Sequence, residues 1–181
     1  MKPRRKIIVY IATSADGYIA RLDGGVDWLN RPRPRGNYGM AAFFASMDTI
    51  LWGRKTYDQS LTMGGPNLFG LKVKNYVFTH QPPGSPASGV EFVNEPVAPF
   101  AKRLRAQPGK HIWMMGGGGL IASFLDEGQI DEFSISVIPV FIGEGIPLIQ
   151  PARRSVPLRL LSTRKFADGV VQLNYGVRHG G

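Results

Sequence analysis

Two short segments of the sequence carry residue types that bind phosphate groups. Four consecutive glycines, at positions 116–119, separate the apolar run HIWMM from further apolar residues at helical spacing. The tetrapeptide GRKT, at positions 53–56, directly follows the apolar run TILW. Glycines let a backbone approach a phosphate closely, and the first N–H groups of a following helix point toward the anion. Both segments therefore indicate the binding of a phosphorylated ligand.

The two cations of GRKT support this interpretation. Arg54 offers a planar fork that suits phosphate, and Lys55 offers a compact charge. Cations at the start of a helix oppose its dipole, and a bound phosphate removes that disadvantage. A structural alternative stays open for each segment. The glycines also fit a tight turn between strand and helix, and the cations also fit an exposed basic helix start.

Strands and helices must position these segments. Short apolar runs rich in β-branched and aromatic residues predict buried strands at residues 6–13, 49–52, 75–79 and 111–115. Apolar residues at helical spacing predict helices that contain residues 40–47, 97–106 and 120–125. Residues 133–140 and 170–177 predict two long later strands, joined by a loop and by a shorter segment around 158–162.

This order of elements predicts a three-layer α/β/α fold, with helices on both faces of a mixed, mostly parallel sheet. We expect one domain that spans residues 1–181. In open α/β sheets the ligand lies beyond the carboxyl ends of the strands. The GRKT turn, the glycine turn and the SADG turn at residues 14–17 are therefore expected to line a single site.

Composition narrows the function. The chain has no cysteine, which excludes disulfides and thiolate chemistry, and its three histidines are too scattered to predict a metal site. A net charge of +9 favours anionic partners, either a phosphorylated small molecule or nucleic acid. The basic stretches MKPRRK and RPRPRG lack the interleaved aromatic residues of single-strand binders, so we interpret them as solvated tails and loops. No apolar run reaches the length of a membrane span, and we expect a cytoplasmic protein.

Several motifs in order make the sequence more specific. From IATSADGYIA through ILWGRKTY and MMGGGG to IDEFSISVIPVFIGEGIPLI, the chain resembles the dihydrofolate reductase-like family. Within that family it is most similar to the branch with the reductase domain of bacterial riboflavin biosynthesis. The resemblance implies a dihydrofolate reductase-like fold, a reduced nicotinamide cofactor, NADPH rather than NADH, and a homodimer.

The resemblance also implies where the cofactor would bind. The nicotinamide would lie beside the first strand, the phosphates at the GRKT and glycine turns, and the adenosine end with its 2′-phosphate at Thr79. The first glycine pair matches a place where the family often has a cis peptide. The residues expected to bind the cofactor are Ala12, Ile19, Gly53, Arg54, Lys55, Thr56, Thr79, Met115, Gly116, Gly117, Gly118, Gly119 and Leu120.

The sequence departs from true folate reducers in the first helix. Those enzymes carry a carboxylate there, whereas no Asp or Glu stands between Trp28 and Met47. We therefore expect an NADPH-dependent reductase of another small heterocyclic substrate, pteridine-like or aminopyrimidine-like, or of a carbonyl compound. A 5-amino-6-(5-phosphoribosylamino)uracil reductase is the specific alternative. A non-catalytic nucleotide-binding protein and a nucleic-acid-binding protein are the alternatives from other classes.

Reduction also needs a proton and a pocket for the substrate. Asp27 and Asp16 are the candidate proton donors, since they are the acidic residues nearest to the expected nicotinamide site. The alternatives are that Asp16 caps a turn and that Asp27 is a solvated loop residue. Trp28, Phe44 and Tyr57 are candidate walls for a planar substrate, although Phe44 also fits the core.

Overall fold

The computed structural model describes residues 4–65, 70–80 and 86–178. Four α-helices form in this part of the chain: α1 (Met40–Ala45), α2 (Arg54–Leu61), α3 (Val97–Ala106) and α4 (Gly118–Asp126). The strands are β1 (Ile7–Ser14), β2 (Tyr18–Ala20), β3 (Met47–Gly53), β4 (Lys74–Phe78), β5 (Val90–Val93), β6 (His111–Gly116), β7 (Glu132–Ile138), β8 (Ile146–Pro147), β9 (Leu158–Lys165) and β10 (Val171–Val177). None of the described helices is long and apolar enough to cross a membrane.

Eight of the strands form one sheet in the order β5-β4-β3-β6-β1-β7-β10-β9. The first six of these run parallel to one another, whereas β10 is antiparallel to both β7 and β9. The two remaining strands, β2 and β8, form a separate antiparallel pair. The mixed, mostly parallel sheet predicted from the sequence is confirmed.

Side chains that alternate along β1 pack on opposite faces of the sheet. Ile7 and Val9 belong to the cluster that contains Phe100 of α3 and Phe124 of α4. Ile8 belongs to a second cluster with the helices α1 and α2. A period of two is what the pleat of a strand imposes, so one apolar run fills two cores. The predicted three layers, with helices on both faces, are confirmed.

Three local predictions need correction. Met47 was expected to continue the first helix, but it is the first residue of β3 and is buried in the second core cluster. The segment around residues 158–162 is a full strand of eight residues, β9, at the sheet edge. The short strand β5 was not predicted, because four residues are too few for periodicity to be informative.

The basic N-terminal segment is part of the folded structure rather than a solvated tail, although its first three residues lie outside the described residues. Arg5 is only 5% exposed and forms an ion pair with Asp48. It also donates hydrogen bonds to Thr49 Oγ1 at 2.9 Å and to the carbonyl oxygens of Leu104 and Lys110 at 3.0 and 2.6 Å. Arg5 therefore joins three separate parts of the chain.

Candidate functional site

The fold brings the GRKT turn and the glycine turn together. They follow the adjacent parallel strands β3 and β6, so helices α2 and α4 begin side by side at the same sheet edge. A Cβ atom added to Gly53 would lie 3.3 Å from the amide nitrogen of Gly117 and 3.4 Å from the carbonyl oxygen of Gly116. The two segments therefore touch through their backbones, as a shared phosphate site requires.

Neighbouring backbone comes so close to the glycine turn that one of its positions requires glycine. A Cβ atom on Gly118 would lie 2.5 Å from the carbonyl oxygen of Pro147, so a side chain there would clash with backbone. A Cβ atom on Gly117 would instead point between the two turns, 3.0 Å from Thr56 Oγ1. The peptide bond between Gly116 and Gly117 is cis. The space that Gly117 leaves open is bounded by the starts of both helices.

The starts of both helices favour an anion in that space. In α4 the first intrahelical hydrogen bond runs from the Ile121 amide to the Gly117 carbonyl, 3.0 Å. The N–H groups of residues 118–120 precede it and have no partner within the helix. Neither α2 nor α4 has an acidic residue in its first turn. Two helix dipoles thus add their positive ends at one place, without a side chain that neutralises them.

The two cations of α2 differ in their surroundings. Arg54 Nε donates to both carboxylate oxygens of Asp58 at 2.8 Å, and its guanidinium lies 5.7 Å from the centre of the Phe92 ring. Both Arg54 and Lys55 line a cavity that adjoins the two turns. Asp58 therefore shares Arg54 with any ligand bound there, whereas Lys55 has no ion-pair partner in the described ranges.

A cavity of about 1520 Å³ extends along the carboxyl edge of the sheet and includes the space between the turns. Of the residues expected to bind the cofactor, only Gly116 is absent from its lining. Gly116 faces inward instead, since a Cβ atom there would lie 3.3 Å from the side chain of Ile121. The expected residues that do line the cavity are Ala12, Ile19, Gly53, Arg54, Lys55, Thr56, Thr79, Met115, Gly117, Gly118, Gly119 and Leu120.

The far end of the cavity, beyond β1 and β7, has walls that the sequence analysis missed. They are contributed by the segment before α1 and by the sheet, and include Tyr10, Arg31, Arg33, Tyr38, Met40 and Ser136. Tyr10 stacks on Phe43 of α1 with ring centres 4.0 Å apart. Its hydroxyl is buried, and burial raises the pKa of Tyr10, against a smaller opposite effect of Gln172. The phenol is therefore uncharged at neutral pH.

Tyr38 is held in an unusual conformation at this end. It and Asn37 are the non-glycine residues with positive φ in the described chain, at +59° and +43°. The Tyr38 hydroxyl donates to Asp168 Oδ2 at 2.5 Å, and Arg31 Nη2 donates to the Asp168 carbonyl at 2.6 Å. Left-handed non-glycine residues persist only where their surroundings hold them, and they often lie at functional sites. The segment before α1 is thus fastened to the turn between β9 and β10.

Asp27 is not in the cavity lining. Its carboxylate receives two hydrogen bonds from Arg21, Nε at 2.6 Å and Nη2 at 2.9 Å, and is 65% exposed. The hydrogen bond from Arg21 lowers the pKa of Asp27. A proton donor near neutral pH needs the opposite shift, so this placement argues against a catalytic role for Asp27.

The SADG turn also lies apart from the cavity, contrary to expectation. It leads into β2 rather than into a helix, and Asp16 accepts hydrogen bonds from the amides of Gly143 at 2.8 Å and Ile142 at 3.1 Å. A hydrogen bond donated by the Ser14 side chain, followed by those from the two amides, lowers the pKa of Asp16. Asp16 therefore ties two loops together, in keeping with its structural alternative.

The three expected substrate walls lie in the core instead of the cavity lining. Trp28 is 9% exposed and packs against Ile138 and Val170. The Tyr57 ring is 4% exposed and meets Trp52 edge to face, whereas Phe44 packs on Trp113. Large aromatic residues next to a glycine-rich turn fit a pocket and a core equally well in sequence, and here burial of apolar area decides for the core.

Comparison with known proteins shows which family this chain resembles in sequence. The family described as the RibD C-terminal domain matches residues 97–172. The uncharacterized protein YwjB of Bacillus subtilis (strain 168) is 40% identical over 172 residues, which cover 94% of this chain and 97% of YwjB.

Solved structures share the fold. A Shewanella sp. PV-4 protein provisionally assigned to riboflavin biosynthesis is 28% identical, with a TM-score of 0.84 and coverage of 96% of this chain and 99% of that one. Dihydrofolate reductase from Enterococcus faecalis, complexed with NADP(H) and an inhibitor, is 16% identical, with a TM-score of 0.68 and coverage of 96% and 97%. At that identity the second likeness concerns the fold alone.

Proposed function

Because the chain belongs to the RibD C-terminal domain family and has a dihydrofolate reductase-like fold, we propose that it is an NADPH-dependent reductase. The observation that carries the proposal is the contact between Gly53 and Gly117, where the starts of two helices meet around an open space. Such a site suits the two phosphates of a dinucleotide. Bound there, the cofactor would supply a hydride to a substrate, and the chain would bind and orient both.

The residues of the chain fit that role along the whole cavity. The N–H groups at the starts of α2 and α4 would hold the diphosphate, and Lys55 adds a charge of the required sign. Ala12 and Ile19 would bound the nicotinamide with apolar surface. The Tyr38 hydroxyl donates a hydrogen bond to Asp168. Its oxygen lone pairs are therefore left to accept a hydrogen bond from the substrate.

The substrate that we propose is a small heterocyclic or carbonyl compound other than dihydrofolate. The helix α1 has no carboxylate, and none stands in residues 29–46 around it. Dihydrofolate would therefore lack the acidic partner that the resemblance leads one to expect for it. A pteridine-like or aminopyrimidine-like compound fits the proposal, with 5-amino-6-(5-phosphoribosylamino)uracil as the specific alternative. A cytoplasmic, single-domain enzyme is part of the same proposal.

Cofactor binding can be tested before any substrate is known. At 100 times its dissociation constant a ligand stabilises the folded state by about 2.7 kcal/mol, which should raise the melting temperature by roughly 5–10 °C. Turnover is then followed as loss of reduced-cofactor absorbance with dihydrofolate, the phosphoribosylated aminouracil and other pteridines and pyrimidines. No stabilisation by NADPH or by NADH contradicts the proposal, whereas binding without turnover of any compound favours a non-catalytic nucleotide-binding protein.

The structure gives little support to the nucleic-acid alternative. In MKPRRK, Arg5 is buried, Lys6 pairs with Glu132 at 2.5 Å, and Arg4 lies 3.3 Å from Asp131. In RPRPRG, Arg31 is bound to Asp168. Cations already paired within the protein release few counterions on binding DNA or RNA, so these four residues would add little to binding of a phosphate backbone.

We also propose a homodimer that forms through β9. This strand is the edge of the main sheet, and all eight of its residues are exposed, including Leu158, Leu160 and Leu161 at 42, 55 and 40%. An edge strand with exposed leucines is prone to pair with another strand unless something covers it. A second copy of the chain would cover both its backbone and its leucines.

Leu160→Glu is expected to convert this dimer to a monomer, because the substitution would bury a carboxylate in the apolar interface. Sedimentation velocity measures the change. Leu61→Glu is the matched control, since Leu61 is similarly exposed, at 49%, but lies on α2. A wild-type protein that sediments as a monomer, or equal behaviour of the two variants, would contradict a dimer through β9.

A further inference from the structure

The cavity has a second end, opposite to Tyr38. The strand order places β4 and β5 on one side of the β3–β6 contact and β1 and β7 on the other. At the β4 and β5 side the lining includes Thr79 and His80, which follow β4, and Asn94 and Glu95, which follow β5. Under the proposed function, on which this inference rests, the adenosine half of the cofactor extends to this end.

This end of the cavity carries an acidic residue, and under the proposed function a 2′-phosphate would bind at the same end. Glu95 lines the cavity, and its side chain is 36% exposed. Arg103 of α3 forms an ion pair with it and is itself held over the ring of Phe100, 5.2 Å from the ring centre. Arg103 is outside the cavity lining. Of the two partners, Glu95 is therefore the one that belongs to the cavity lining.

We propose that Glu95 determines how well the protein distinguishes NADPH from NADH, and that Arg103 offsets part of its charge. A carboxylate accepts hydrogen bonds from the two free hydroxyls of an adenosine ribose, and it repels a phosphate at the 2′ position. Arg103 weakens the repulsion because it neutralises part of the charge on Glu95. The pair therefore sets how strongly NADH competes with NADPH at a site whose turns would hold the diphosphate of either cofactor.

The pair predicts opposite effects for its two members. Glu95→Gln removes the negative charge and releases the Arg103 guanidinium, which can then attract a 2′-phosphate. Arg103→Gln removes the neutralising charge and leaves Glu95 as an unpaired carboxylate, which repels a 2′-phosphate more strongly. A role of either residue in folding alone would weaken the binding of both cofactors alike and would leave the ratio of the two dissociation constants unchanged.

The test is that ratio, measured by titrating the full-length protein with NADPH and with NADH and following its tryptophan fluorescence. One unit charge near a phosphate dianion across water is worth about ten-fold in affinity, so Glu95→Gln should shift the ratio about ten-fold toward NADPH and Arg103→Gln should shift it toward NADH. Glu91→Gln is the control, because Glu91 is an exposed residue of β5 outside the cavity lining.

Three results would overturn the inference. A ratio in Glu95→Gln within about two-fold of wild type means that the carboxylate does not sense the 2′ substituent. An equal shift in Glu91→Gln means that overall charge is responsible. Shifts of the same sign in Glu95→Gln and Arg103→Gln mean that the two residues do not act as a pair. Failure of both cofactors to bind the wild type is a different outcome, since it overturns the proposed function and the inference together.

Discussion

Gly117→Val is expected to weaken the binding of NADPH by at least about 100-fold while the protein stays folded. The backbone of Gly117 has φ −81° and ψ −166°, which a valine adopts without strain. The valine side chain would enter the space between the two turns, where its Cβ atom alone would lie 3.0 Å from Thr56 Oγ1. Hydrogen bonds to a charged group contribute about 1.5–3 kcal/mol each, so the loss of two suffices for the effect.

The measurement is a fluorescence titration with NADPH, together with a thermal melt of the protein without ligand. Gly176→Ala is the matched control, because a Cβ atom there would lie 3.6 Å from its nearest neighbour, Leu161, far from the cavity. The control should bind as the wild type does. If Gly117→Val binds NADPH normally, the diphosphate does not lie between α2 and α4, and the reductase proposal loses the observation that carries it.

Arg5→Met is expected to destabilise the protein by about 3–5 kcal/mol, since it leaves a partly buried carboxylate without its cation. The substitution removes four interactions at once, with Asp48, Thr49 and the carbonyls of Leu104 and Lys110. Methionine fills a similar volume, so the cost would come from the unpaired polar groups rather than from a cavity. Urea unfolding at pH 7 measures the change in free energy.

Arg4→Met is the control for this experiment. Arg4 is the neighbouring residue, and its side chain is 60% exposed. It forms an ion pair with Asp131 at 3.3 Å. Exposed pairs contribute about 0–1 kcal/mol, so the control should lose little stability. Equal losses in the two variants would mean that the basic N-terminal segment acts through its net charge and that the burial of Arg5 is unimportant.

The same pair gives the wild type a dependence on pH. Burial alone would raise the pKa of Asp48, but the amide of Lys110, the hydroxyl of Thr49 and the charge of Arg5 outweigh it, and the pKa is lowered. Stability from a lowered carboxyl pKa is present above the unfolded value of about 3.9 and is lost as pH falls through the folded value. As the pH is lowered from 5, the Arg5→Met variant should therefore lose less stability than the wild type does.

The candidate proton donors and substrate walls lie outside the cavity lining for one physical reason. Residue type and distance in sequence from the expected nicotinamide site predicted Asp16, Asp27, Trp28, Phe44 and Tyr57 as site residues. Whether such a side chain faces a ligand depends on the direction in which it points. That direction is set by packing that the sequence does not show. Asp16 and Asp27 are bound by loop amides and by Arg21, and the three aromatic residues pack in the cores.

Tyr38 illustrates what sequence could indicate only in part. The absence of a carboxylate before α1 was visible, and so was the NYG tripeptide that stands there. The Tyr38 backbone is left-handed, and its hydroxyl is bound by Asp168, which is 130 residues away along the chain. Glu95 is similar, because its place in the cavity follows from β5, a strand too short to predict.

The sequence by itself determined the layers of the fold and the positions of the GRKT and glycine turns. These depend on local signals: apolar runs with a period of two or of 3.6, and glycines and cations at the end of a strand. Only the tertiary structure decided that two of the three turns meet, which residues wall the far end of the cavity, and that Arg5 is buried. Those outcomes depend on strand order and on contacts between residues more than forty positions apart, and a local pattern carries no information about either.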